Sequence, residues 1–354
     1  MHTWAEKYKE GLVFVTRTGF QVATNDAGKE LGQIELLRKL LPLFRKCGGK
    51  KFGSMVNMEE AEFKARMKNY ADKTEKALSR LIPPEQEAAE HILYEAMRYS
   101  LLAGGKRLRP VLVMSFCSLC GGDENTALPF ACAIEMVHTY SLIHDDLPCM
   151  DNDDLRRGKP SSHKAFGEAN ALLAGDALLT KAFEIACGQS VALADRAVKA
   201  AAILAKAAGD HGMVAGQVLD LLNENQDITA EQLMNIDAKK TGAMIRAAAL
   251  MGCALAGADK QQEQAADSYA SALGLAFQIQ DDLLDVEGNV QTLGKPIGSD
   301  AQNDKATYVT LLGAQKARIT VHELTEKAKA ALTPFGARAE FLCMLADSMA
   351  SRVK

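Results

Sequence analysis

The sequence predicts an all-α protein, one large helical bundle, on three observations. Apolar residues recur at i, i+3 and i+4 through almost every segment after Glu59. Alanine, the strongest helix former, is abundant. No apolar–polar alternation of the strand type survives between the turn signals of that region.

The periodic segments run in order through Phe63–Leu81, Ala88–Leu102, Val111–Cys120 and Ala127–His144. They continue through Ala169–Ala186, Ala192–Ala207, Met213–Leu222, Ala230–Leu255 and Ala265–Leu284, with further helix to Val353. Breaks fall where glycine or proline cluster, at Pro83-Pro84, Gly104-Gly105, Gly121-Gly122, Gly257 and from Gly288 to Pro296. No repeat of solenoid period occurs. Residues 58–354 are therefore expected to form a single domain.

Residues 1–57 differ. They hold 10 Lys/Arg against 5 Asp/Glu, so this segment is basic while the chain as a whole carries −4. Leu31–Arg45 has the pattern of a short basic amphipathic helix. A membrane-surface element or an organellar transit peptide would fit it, but the 5 acidic residues speak against transit. Nothing in the segment carries chemistry, so it reads as an accessory extension of unassigned role.

The 354 residues are 48% hydrophobic and 24% charged, the composition of a soluble globular protein. A negative balance argues against a nucleic-acid partner. No apolar run reaches the ~20 residues of a membrane span. The 8 cysteines are scattered, which suits a reducing cytoplasmic location. Cys117 and Cys120 form a CxxC, but no second one completes a zinc site, so a buried, inert pair is expected.

Two acidic clusters carry the chemistry. Asp145-Asp146-Leu-Pro-Cys-Met-Asp151 closes one long apolar helix, and Asp281-Asp282-Leu-Leu-Asp285 closes another. Asp281 and Asp285, four apart, share a helical face. Carboxylates gathered on an apolar face repel one another and are costly to desolvate unless a cation neutralises them. An all-oxygen donor set points to Mg²⁺, which keeps waters and takes substrate phosphates to complete its shell. Basic residues complete a pocket for two diphosphates: Lys106 and Arg109 in a glycine loop entering a helix, and Arg156 and Arg157 after the first cluster. Lys240 and Thr241 add a cation and a hydroxyl inside an apolar helix.

At these residues the sequence resembles the trans-prenyl diphosphate synthases, closest to farnesyl and then geranylgeranyl diphosphate synthases. The resemblance runs from about Phe63 to the C-terminus. It rests on GGKRLRP, DDLPCMD followed by NDDLRRGKP, LLAGDALL, KKTG and FQIQDDLLD with GKPIGSD, in that order. It implies an isoprenoid synthase-like bundle around a central substrate cavity, working as a homodimer. It implies Asp145 and Asp151 as ligands of two Mg²⁺ ions and Asp281 as ligand of a third. Arg156, Lys240, Lys295 and Lys305 would hold the allylic diphosphate. Lys106, Arg109, His138 and Arg157 would hold isopentenyl diphosphate, and Thr241 and Gln278 would face the developing carbocation.

The implied reaction is a head-to-tail condensation by ionisation, attack and proton loss, in a cavity that excludes water. No side-chain nucleophile is required. Product length would be set by Tyr140 and Ser141, five and four residues before Asp145. A bulky Tyr140 as pocket floor favours a fifteen-carbon product over a twenty-carbon one. A class I terpene cyclase would not need Lys106 and Arg109. A non-catalytic partner subunit would be expected to lose an acidic cluster, and a helical scaffold would show no Mg²⁺-dependent diphosphate binding.

Overall fold

The computed structural model describes the backbone of residues 4–8, 11–16 and 19–24, and residues 58–84, 87–189, 193–224, 226–287 and 306–352. The chain divides into two compact units, Met1–Ser54 and Met55–Lys354. In the first, strands β1 (Trp4–Tyr8), β2 (Gly11–Thr16) and β3 (Gly19–Thr24) form an antiparallel sheet in chain order. Ala5 lies opposite Phe14, and Val13 opposite Val22. The run Leu12-Val-Phe-Val-Thr16 of β-formers is the sequence signal of this sheet. The amphipathic helix expected over 31–45 falls outside the described residues.

The second unit is all-α, as expected. Its first helices are α1 (Glu60–Leu81), α2 (His91–Leu101), α3 (Leu108–Leu119) and α4 (Glu124–Asp145). After a small hairpin come α5 (Ser162–Phe166), α6 (Glu168–Cys187), α7 (Ala194–Ala208) and α8 (Met213–Leu222). Then follow α9 (Ala230–Asp237), a π turn (Ala238–Gly242), α10 (Ala243–Ala256) and α11 (Lys260–Glu287). The chain closes with α12 (Tyr308–Leu312), α13 (Ala314–Ala331), a 3₁₀ segment (Thr333–Ala339) and α14 (Glu340–Ala350).

Helices that are apolar all round belong in the middle of a bundle, and α3, α4 and α10 are those helices. Val111–Cys117 of α3 and Phe130–Val137 of α4 are almost wholly inaccessible to solvent. Among the described residues, α4 alone is long and apolar enough to cross a membrane by length and composition, yet most of it is buried inside the bundle. It packs on α3 and α6, while α10 packs on α3, α7 and α11. Caps fix the ends. Asp123 accepts from Asn125 N at 3.1 Å to start α4, and Thr229 with Gln232 forms a reciprocal capping box on α9.

Three local departures from the sequence expectation position the site. Helix α3 starts at Leu108, three residues before the expected Val111, so Pro110 lies in its first turn, where its missing N–H would have been unpaired in any case. The segment expected as one helix over Ala230–Leu255 is interrupted by the π turn carrying Lys239-Lys240-Thr241. The tail of the first acidic cluster forms a hairpin of two-residue strands, β4 (Leu155–Arg156) and β5 (Lys159–Pro160). Arg157 and Gly158, both at positive φ (53° and 76°), turn it.

The CxxC does not pair with itself. Cys117 is buried, its thiol pushed up to about 12 by desolvation. Cys120 is only half-buried, so the expectation of a buried pair holds for one member. Its Sγ lies 3.8 Å from Cys253 Sγ on α10, and that hydrogen bond draws its thiol below the ordinary value.

Candidate active site

The first acidic cluster is built on the C-terminal end of α4. Asp145 is the last residue of that helix, and the loop beyond it folds back so that Asp151 N donates to Asp145 O at 2.9 Å. This brings two aspartates six apart in sequence to one place. Burial pushes the Asp145 carboxyl up to about 6, opposed by Lys240 and reinforced by Asp151. Its neighbour Asp146 points elsewhere. Its carboxylate is gripped by Arg156, with Nε at 2.9 and 3.1 Å from the two oxygens, and Arg156 Nη2 reaches Asp153 at 3.2 Å.

The glycine loop before α3 provides a cationic wall. Arg157 Nη1 donates to Gly104 O, and a Cβ at Gly105 would sit 3.0 Å from the Arg157 guanidinium, so this arginine lies flat against the loop backbone. Gly105 also has φ +131°, a conformation only glycine tolerates easily. Arg109 follows in the first turn of α3. Its Nε is buried with no hydrogen-bond partner among the described residues, and burial pulls its guanidinium below the ordinary value. An orphaned buried donor on a cation at a helix N-terminus is what an anion would satisfy. His138 lies within the field of Arg109, Arg157, Arg107 and Arg156; desolvation first and these charges second hold it well below the usual imidazole range, hence neutral.

The second cluster ends α11. Asp281 Oδ1 takes Arg352 Nη2 at 2.6 Å, while Arg352 stacks 3.9 Å over the Phe277 ring. Asp282 Oδ2 instead accepts Tyr308 N at 2.7 Å, holding the start of α12. Lys106 is felt by both Asp281 and Arg352; burial and Arg352 lower it, Asp281 raises it. The two clusters are linked through the π turn. Lys240 Nζ donates to Asp220 Oδ2 at 2.6 Å and lies in the field of Asp145 and Asp151. Gln278, one turn before Asp281, donates from Nε2 to Asp237 Oδ1 at 3.5 Å. Gly216 makes this approach possible: a Cβ there would lie 2.6 Å from Lys240 Cα and closer still to its nitrogen.

Among the described residues, no three His, Cys, Asp or Glu side chains already converge as a metal site. The donors nevertheless fit Mg²⁺. They are all hard oxygens, burial holds the Asp145 carboxyl up in spite of Lys240, and a cationic guanidinium stands at Asp281. Mg²⁺ needs only one or two carboxylates from the protein when phosphates and waters supply the rest.

Residues 90–333 match the family model for polyprenyl synthetase. The chain belongs to the polyprenyl synthetase family. It is 52% identical over 246 residues to the farnesyl diphosphate synthase of Geobacillus stearothermophilus, spanning 69% of this chain and 82% of that one. It is 46% identical over 294 residues to the chloroplastic geranylgeranyl pyrophosphate synthase of Catharanthus roseus, spanning 82% of each. An FPP/GFPP synthase of Zymomonas mobilis superposes with a TM-score of 0.74 at 38% identity, covering 82% of this chain and 99% of that one. The protein is thus a trans-prenyl diphosphate synthase, a prenyltransferase whose relatives divide between farnesyl and geranylgeranyl types.

Within this synthase, Asp151, Arg156 and Lys240 act on Asp145, Asp281 acts on Lys106 with Gln278 one turn before it, and Arg109 and Arg157 act on His138. Thr241 is half-buried in the π turn beside Lys240. Lys295 and Lys305 lie outside the described residues. Tyr140 is 7% exposed, edge-on to His144, while Ser141 Oγ donates back to His138 O at 3.0 Å. Four participants were not singled out from the sequence: Arg107, Asp220, Asp237 and Arg352. Asp220 had a signal, a lone acid in the apolar α8, and Arg352 had none.

Proposed function

We propose that the synthase makes farnesyl diphosphate from isopentenyl diphosphate and dimethylallyl or geranyl diphosphate, with Mg²⁺. The observation that carries the product assignment is Tyr140, a buried ring one turn and a little more ahead of Asp145 on α4. A chain growing from a diphosphate at Asp145 meets that ring, and bulk in a packed interior is not easily displaced.

Asp145, Asp151 and Asp281 would hold the metal, with three Mg²⁺ ions per site implied by the resemblance. Bound there, Mg²⁺ supplies neutralisation of the leaving diphosphate. Lys240 and Arg156 hold the allylic diphosphate, joined by Lys295 and Lys305. Lys106, Arg109, Arg157 and the neutral His138 hold isopentenyl diphosphate without metal, Arg109 donating its otherwise unsatisfied Nε–H. The allylic C–O bond breaks and its electron pair leaves with the diphosphate. The isopentenyl double bond then attacks the allylic carbon, and a proton lost from the adduct passes to the departed diphosphate. Thr241 and Gln278 would turn oxygens toward the cation, the Gln278 amide being held at its Nε2 by Asp237.

A homodimer is the proposed working unit. The large apolar side chains Leu172 and Leu173 on α6 and Val218 and Leu222 on α8 are 45–69% exposed, a surface a second copy could cover. A relative in Arabidopsis thaliana is named a large subunit of a heterodimeric geranylgeranyl pyrophosphate synthase. Light scattering on the purified chain distinguishes dimer from monomer. A reducing cytoplasmic location is proposed on the half-buried Cys120 thiol beside Cys253.

Product analysis with isopentenyl and geranyl diphosphate, with Mg²⁺ and with a chelator, tests the function. Mg²⁺-dependent fifteen-carbon product is expected. A twenty-carbon product would keep the reaction and move the floor away from Tyr140. No condensation product from folded protein would point to a partner subunit or a cyclase.

A further inference from the structure

Tyr140 does not stand alone at its position. One helical turn on, His144 meets its ring edge-on, with centroids 5.5 Å apart and planes at 79°. The imidazole is itself pinned from the far side. Its Nε2 lies 3.0 Å from the carbonyl oxygen of Leu172 on α6, and 3.9 Å from Asp176 Oδ1. A carbonyl oxygen can only accept, so Nε2 carries the proton and donates. The ring fits there because residue 175 is glycine. A Cβ at Gly175 would lie 2.5 Å from His144 Cδ2, 3.0 Å from Cε1 and closer still to Nε2. Nothing about helix geometry requires glycine at this point, in the middle of α6, where it weakens the helix. The notch is explained by the ring it admits.

We infer that His144 is a positioning residue for product length: seated in the Gly175 notch and tied to α6, it braces Tyr140 so that the pocket floor cannot swing aside. The inference rests on the reading of Tyr140 as the floor. A floor limits chain length only if it resists the growing chain. A tyrosine on a helix can change its side-chain rotamer, and His144, packed edge-on against the ring, takes up part of the space such a change needs. His144 touches no substrate and moves no proton in this role. Specificity is thereby shared between two helices, with α4 supplying both rings and α6 supplying the notch and the acceptor that hold them.

The test is the ratio of twenty- to fifteen-carbon product in the full-length protein with isopentenyl and geranyl diphosphate. Four variants are compared: Tyr140→Ala, His144→Ala, the double variant, and Gly175→Ala. Tyr140→Ala is expected to lengthen the product. His144→Ala should raise the ratio by about two- to tenfold, the range for losing one aromatic edge contact. It should add nothing in the Tyr140→Ala background, because His144 acts through Tyr140. Gly175→Ala keeps both rings but closes the notch, so it must also change the ratio. That variant decides the matter if His144→Ala fails to fold. If Tyr140→Ala lengthens the product while His144→Ala and Gly175→Ala leave it unchanged, the brace is wrong and the floor stands. An equal effect of His144→Ala with and without Tyr140 overturns the brace as well. If Tyr140→Ala itself changes nothing, the floor reading fails and the brace with it.

Discussion

In each Asp-Asp pair the second aspartate does structural work while the first is left to the site. Asp146 anchors Arg156, and Asp282 caps the start of α12, whereas Asp145 and Asp281 face the cations Lys240 and Arg352. The GGKRLRP loop divides its labour similarly. Arg107, at φ 51°, is buried and bonded to Glu75 at 2.8 Å, Glu135 at 2.6 Å and Leu101 O at 2.7 Å. Removing one member of such a buried ion network costs on the order of 3–5 kcal/mol, so this arginine holds the loop that presents Lys106 and Arg109. The same comparison of magnitudes explains why a tyrosine floor needs bracing. One more isoprene unit buries five carbons, worth roughly 4 kcal/mol, against roughly 1 kcal/mol for a strained rotamer. Asp237 offers a pH-dependent test. Burial raises its carboxyl from 3.8 to about 6 in the folded protein. Ionising it therefore costs the native state more than the unfolded chain, and stability falls as pH rises from about 4 to about 6 and stays lower above. Asp237→Asn should raise stability at pH 7.5 by about 1–2 kcal/mol after allowance for partial exposure, and leave it unchanged below about pH 4. Melting curves across pH would show this, and an equal gain at every pH would mean burial of the charge is not the cause.

Among the elements, the π turn matters most for the site. An uninterrupted α-helix over Ala230–Leu255 would place Lys240 differently around the axis; the extra residue in the turn directs it to Asp220 and the first cluster. The turn is tolerated because α8 comes up against it at Gly216. Gly216→Ala forces the two backbones apart by more than a side chain can absorb. It should lower kcat about 10²-fold, the scale of an ångström-level misplacement, with helical content by circular dichroism unchanged. Near-native turnover would mean that Lys240 tolerates displacement. The β4–β5 hairpin is the other decisive element. Its left-handed turn at Arg157-Gly158 sends Arg156 and Arg157 to opposite duties, one to Asp146 and one to the glycine loop.

At the scale of the whole bundle, Lys240 of the π turn ties Asp220 of α8 to the field of Asp145 and Asp151, while Arg352 near the C-terminus holds Asp281 and Lys106 lies in the field of both. Asp145→Ala and Asp281→Ala should each reduce turnover by at least about 10²-fold, since each removes charge stabilisation that no neighbour replaces. Neither leaves a core cavity, because Asp145 ends α4 and the Asp281 side chain is 45% exposed, so melting temperatures should stay close to the parent's. Substantial turnover in both variants would remove the acidic clusters from the proposed chemistry.

Much of this protein is legible from its sequence. Helical periodicity, the glycine and proline breaks and the order of charged motifs identify an all-α bundle with two acidic helix ends, because those signals are local and repeat every few residues. Lys106, Arg109, Asp145, Lys240 and Asp281 stand out for the same reason, as charges set in apolar or glycine-rich surroundings. The roles of Arg107, Asp146 and Asp282, the reach of Arg352 back to Asp281, the π turn at Lys240 and the Gly175 notch for His144 came only from the tertiary structure. Each depends on what a side chain meets from a distant segment, 28 to 71 residues away for the contacts of Arg107 with Glu135, His144 with Leu172 and Arg352 with Asp281. Periodicity within one helix records which face is buried, but it holds no information about which residue of another helix arrives there.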